Sequence, residues 1–73
     1  MNINEKEILL RFSKNLRNLR NKSNFTQMEV ALKTGIYESL YRKYESNNPP
    51  NIKFVNLIKL KMFFKVPLDD FIK

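Results

Sequence analysis

Gly35 is the only glycine in a chain of 73 residues, and it falls between two short runs of helical character. Upstream, Phe25-Thr26-Gln27-Met28-Glu29-Val30 carries a capping box. Thr26 precedes the run, Glu29 follows three residues later, and Phe25 and Val30 stand where a hydrophobic staple closes the first turn. A helix therefore starts at Gln27 and stops at Gly35, because a glycine after a helical run reaches the left-handed conformation that ends helices. Val30 and Ala31 are its inward positions, and Ala31 is small enough to let another helix cross closely. From Ile36, the apolar Ile36, Leu40, Tyr41 and Tyr44 make a new stripe, with Glu38, Ser39, Arg42 and Lys43 on the opposite side. Residues 26–45 thus read as helix, tight turn, helix, and the flanking segments must hold that unit in place.

The flanks read as helical too. Asn4 and Glu7 form a second capping box, with Ile3 and Ile8 as staple, so the first helix begins at Glu5. Its apolar beat of Ile8, Phe12, Leu16 and Leu19 keeps one stripe and then lapses, and Asn21 to Asn24 read as a turn. Ser46-Asn47-Asn48-Pro49-Pro50 stops the third helix, since each proline lacks a donor and pushes its predecessor out of the helical region. Asn51 is placed to cap a fourth helix running to Lys65, whose apolar residues exceed one face. Pro67 suits a first helical turn, and Leu68 to Ile72 make a brief fifth helix with Asp69 and Asp70 at its positive end. No segment alternates as a strand does. The expectation is an all-α, compact five-helix domain spanning residues 1–73, with residues 51–72 supplying the rest of the core and the dimer seam.

Composition narrows function. Fourteen Lys+Arg against seven Asp+Glu give a formal charge of +7, a field that attracts polyanions, nucleic acid first among them. The absence of Cys and His removes disulfides, thiolate metal sites and the commonest general base, so neither an enzyme nor a metal protein is expected, and no cofactor is called for. The basic residues are spread along the chain, and Asn56 and Lys59 break the apolar run Phe54 to Leu60, which argues against a membrane surface. The opening Met-Asn-Ile-Asn-Glu carries no leader pattern, so a cytoplasmic protein is expected.

These features together resemble the Cro/repressor (Xre-type) helix-turn-helix family over about Leu16 to Phe71. The resemblance is carried by Leu16-Arg17-Asn18-Leu19-Arg20 and Phe25-Thr26-Gln27, then by Ala31 four residues after Gln27 and Gly35 four further. Tyr44-Glu45 and Val66-Pro67-Leu68-Asp69-Asp70-Phe71 complete it. It implies a lambda-repressor-like domain that binds palindromic operators as a homodimer, mostly as a repressor or autoregulator. By this resemblance Gln27 contacts a backbone phosphate, and Glu38, Ser39, Arg42 and Lys43 face base edges. Arg42 or Lys43 would donate to guanine and Glu38 accept from cytosine N4. Arg20 and Glu45 form an ion pair tying the first helix to the end of the third. Tyr37 replaces a capping Ser or Thr, and its hydroxyl becomes a further phosphate candidate. Tyr41 and Tyr44 replace Ile or Val, so the core must admit two larger side chains whose hydroxyls need partners or water.

The remaining assignments follow from position and surplus. Arg17, Asn47, Asn48 and Lys53 are candidates for phosphate contact or for plain solvation. Phe63, Val66, Leu68, Phe71 and Ile72 exceed what so small a core can bury, which makes the surplus a candidate dimer seam. Met28, Leu32 and Leu40 offer a surface for a protein partner. That supports an alternative reading, an antitoxin-like or antirepressor-targeted interaction module that also binds double-stranded DNA. Non-specific nucleic-acid binding driven by charge alone is a third.

Overall fold

The computed structural model describes residues 2–73, with four α-helices and a closing turn of 3-10 helix. The helices are α1 (Glu5–Lys22), α2 (Gln27–Thr34), α3 (Glu38–Tyr44) and α4 (Phe54–Phe64), and the closing turn is Leu68–Phe71. No strand occurs among the described residues. Helix α2 packs against α3 and α4, while α1 packs against α3 and the closing turn.

The capping chemistry sets the starts. Asn4 Oδ1 accepts from the Glu7 N–H at 3.0 Å, and at α2 the reciprocal box closes, with Thr26 Oγ1 accepting from Glu29 N–H and Glu29 Oε1 accepting from Thr26 N–H. That backbone N–H, followed by the Thr26 hydroxyl, holds the Glu29 carboxyl below the usual carboxylate range. Gly35 ends α2 at φ 72°, and the Ile36 N–H that follows donates to Ala31 O. Tyr37 opens α3 without any side-chain cap.

Three boundaries differ from the sequence expectation. Helix α1 continues through Asn21 and Lys22, whose exposed side chains give no burial signal, and Ser23 Oγ closes its end by donating to Leu19 O at 2.8 Å. Helix α4 starts at Phe54 behind Lys53, which is in extended backbone, not at a cap on Asn51, because Ile52 is drawn onto the core. The fifth helix is a four-residue 3-10 turn, with Pro67 outside it in extended geometry. So few residues cannot nucleate an α-helix on their own.

The core consists of Phe12, Leu16, Val30, Ala31, Ile36, Tyr41, Tyr44, Leu60 and Phe71. Both tyrosine rings are buried. Tyr44 meets Phe12 edge to face at 6.1 Å, and its hydroxyl accepts from Asn56 Nδ2 at 3.1 Å. Phe71 stacks on Phe12 at 5.8 Å and is buried in the protomer, so it belongs to the core and not to a dimer seam. The Ile3 and Ile8 of the expected first staple are both exposed.

Candidate nucleic-acid interface

Helix α3 has only seven residues, so its packing must hold it. Tyr41 and Tyr44 anchor its inner side, while Ser39, Arg42 and Lys43 are exposed and Glu38 is half-buried. The outward strip foreseen in the sequence is therefore the one presented. Tyr37 stands at its start, 83% exposed, and Asn47, Asn48 and Lys53 are exposed in the segment beyond its end.

The far end of α3 is clasped by α1. Ser13 Oγ donates to Ser46 O at 2.8 Å, Arg17 Nη1 donates to Glu45 O at 3.2 Å, and Arg20 makes a two-pronged ion pair with Glu45 through Nε at 2.7 Å and Nη2 at 2.9 Å. Arg20 Nη1 also donates to Phe25 O at 2.9 Å, which ties in the loop before α2. Arg17 thus gives one of its five N–H donors to the protein's own backbone. Ser13 went unnoticed in the sequence, although Ser13, Arg17 and Arg20 recur at spacings of four and three beside the apolar stripe. That periodicity was the available signal.

Burial works against the Glu45 carboxylate, but the Arg20 guanidinium, the nearby Tyr41 hydroxyl and the Gln27 amide outweigh it and hold its pKa below the usual range. Burial, with the Glu45 charge beside it, pushes the Tyr41 hydroxyl far up. Tyr41 Oη closes no hydrogen bond of normal geometry among the described residues.

Gln27 links this buried pair to the surface strip. Its Nε2 donates to Glu45 Oε1 at 3.1 Å, and its Oε1 accepts from Arg42 Nη1 at 2.7 Å. One amide N–H of Gln27 is left over for an external acceptor. Arg42 also pairs with Glu38, one turn back on α3. Arg20, Thr26, Gln27 and Arg42 line one open cleft of about 510 Å³, so a residue expected at phosphate and one expected at bases share a single depression.

The apolar candidates separate. Phe63 packs on Phe25 at 5.2 Å and on Phe64 at 4.9 Å, and Val66 is half-buried against the core, which leaves Leu68 and Ile72 as the exposed members of the expected seam. A further exposed apolar strip lies on α4, the helix whose apolar residues exceed one face. Phe54 (72% exposed), Val55 and Met62 (69%) lie along one side of α4 at spacings of one and seven residues. The apolar excess of that helix was the signal; which residues form the excess depends on how α4 is rotated against α2. On α2, Met28 and Leu32 are exposed, whereas Leu40 is half-buried against the core and drops out of the partner surface. Met28 and Leu32 line a groove of about 360 Å³ with Ile36, Tyr37 and Glu38.

Among the described residues, no helix is long and apolar enough to cross a membrane, and no three Asp or Glu side chains gather as metal ligands would. Residues 13–73 match the model of a family described as "Helix-turn-helix domain". The chain is similar in structure to the restriction-modification controller protein C.AhdI from Aeromonas hydrophila, with a TM-score of 0.78 and 25% sequence identity. That alignment covers 86% of this chain and 94% of the controller. No curated protein matches.

Proposed function

The chain belongs to the helix-turn-helix domain family, and from that premise we propose that it is a DNA-binding transcription regulator acting as a homodimer, with α3 in the major groove of a palindromic operator. The observation that carries this reading is the outward strip Glu38, Ser39, Arg42 and Lys43 on a helix clasped at its far end, beside the N-terminus of α2. The likeness to a restriction-modification controller supports a regulatory role. Arg42 or Lys43 donates to guanine O6 and N7, while Gln27, Tyr37, Asn47 and Asn48 meet phosphates on either side. Nothing in the role requires a catalytic step. Repression or autoregulation follows from operator occupancy.

The two α3 helices of a dimer must reach successive major grooves about 34 Å apart. The exposed Phe54, Val55 and Met62 of α4, with Leu68 and Ile72, supply the apolar surface for that pairing. Selection from a random duplex library tests the reading. An inverted-repeat consensus is the expected result, with affinity falling steeply as salt rises. Recovery of no preferred sequence would leave only charge-driven nucleic-acid binding.

A second reading draws on the groove beside Met28 (51% exposed) and Leu32 (75% exposed), which suits the apolar face of a protein partner. In that case the domain is antitoxin-like or the target of an antirepressor, and still binds DNA. Charge substitutions at Met28 and Leu32 should then abolish co-purification with the partner while sparing the operator.

A further inference from the structure

Arg42 is already held in place without DNA. Its Nε and Nη2 donate to the same Glu38 oxygen at 2.8 and 2.5 Å, and its Nη1 donates to Gln27 Oε1 at 2.7 Å. Gln27 is anchored in turn by Glu45, which is buried against Arg20. A continuous set of polar contacts therefore runs from α1, past α2, to the outer surface of α3. A guanidinium carries five N–H donors in a rigid fork. Three are occupied here, and the remaining two lie one on each terminal nitrogen. The Glu38 and Arg42 side chains are 36% and 55% exposed, and an exposed i, i+4 pair adds little to stability.

Resting on the DNA-binding reading above, we infer that Glu38 and Gln27 are positioning residues that set how selectively Arg42 reads a base. They fix the plane of the guanidinium, so less rotamer freedom is lost when a base edge is engaged. Glu38 also cancels the arginine charge. A neutralised arginine gains little from a phosphate alone, since non-specific affinity follows the number of uncompensated cations meeting phosphates. The pair therefore suppresses binding to wrong sequences as well as favouring the right one, a device that works by penalising competitors. Glu38 Oε2 is committed to Arg42.

The test uses the full chain and the duplex selected from a random library. Wild type, R42A, E38A, E38Q and the double variant R42A/E38A are titrated with that duplex, its single-base-pair variants and a random duplex. R42A should lower discrimination at one base pair by about tenfold or more. E38A should lower it at the same base pair by about threefold to tenfold, while binding the random duplex about twofold to fivefold more tightly at low salt. E38Q should fall between, and adding E38A to R42A should change discrimination no further. If E38A relaxes a different base pair, or keeps its full effect without Arg42, then Glu38 reads a base by itself and the inference is overturned. E38A ratios equal to wild type overturn it as well. Failure of the wild type to select any sequence removes the DNA-reading premise and this inference together. A melting temperature for each variant within a few degrees of wild type keeps these outcomes apart from misfolding.

Discussion

Glu45 is where the contacts holding α3 converge. Its carboxylate accepts from Arg20 and Gln27, and its carbonyl accepts from Arg17. Its side chain is almost fully buried while Arg20 is partly so, which makes loss of one partner worse than loss of both. R20M leaves a buried carboxylate without its cation and should cost about 3–5 kcal/mol. R20M/E45L should cost less than R20M alone, with urea midpoints as the measurement. The pH dependence has a definite sign. The folded pKa of Glu45 is depressed, so its contribution is fully present above the unfolded value of about 4.3 and is lost as pH falls through the lower folded value. The melting temperature should therefore drop below about pH 4.3, and E45Q should flatten that drop. The Arg20–Glu45 pairing was legible only by family resemblance, because nothing local connects residues 25 apart. The shares of Gln27 and Arg17 were not legible. Both are long polar side chains whose partner depends on which neighbour's backbone lies within reach.

Among the elements, those with local chemistry at their ends were the readable ones. Thr26 and Glu29 cap α2 through reciprocal hydrogen bonds three residues apart, and Gly35 stops it with a conformation few residues tolerate. Where the end is set from a distance, reading failed. Ile52 pulls the start of α4 past Asn51, and Phe71 draws the closing turn onto Phe12. Two left-handed positions make opposite predictions. Gly35 lies at φ 72° with only Lys59 Nζ, at 3.9 Å, near an added Cβ, so G35A meets backbone strain without a clash. About 1–2 kcal/mol of lost stability is expected in thermal melts. Lys65 ends α4 at φ 56°, ψ 47°, where a side chain is disfavoured. K65G should therefore stabilise the domain by about 0.5–1 kcal/mol, a gain read as a higher melting temperature.

At the scale of the molecule, a small core leaves apolar surface over, and one strip of it lies on α4. V55E/M62E should shift sedimentation toward the monomer and weaken operator binding about tenfold or more, through loss of the second half-site's contribution, while leaving the melting temperature of the protomer nearly unchanged. The surplus was legible from the sequence as a quantity. Its location was not, because Phe63, Val66 and Phe71 are as apolar as Phe54, Val55 and Met62, and only the packing of α4 on α2 sorts them. The shortness of α3 carries a further consequence. A seven-residue helix with no side-chain cap has no stability apart from the core that Tyr41 and Tyr44 complete. Its amides should thus exchange with deuterium only when the whole domain opens, in the slowest class with those of Leu16 and Val30, and not through local fraying. The surface that meets DNA and the core would then form a single cooperative unit, so that no partly unfolded species retains a binding surface.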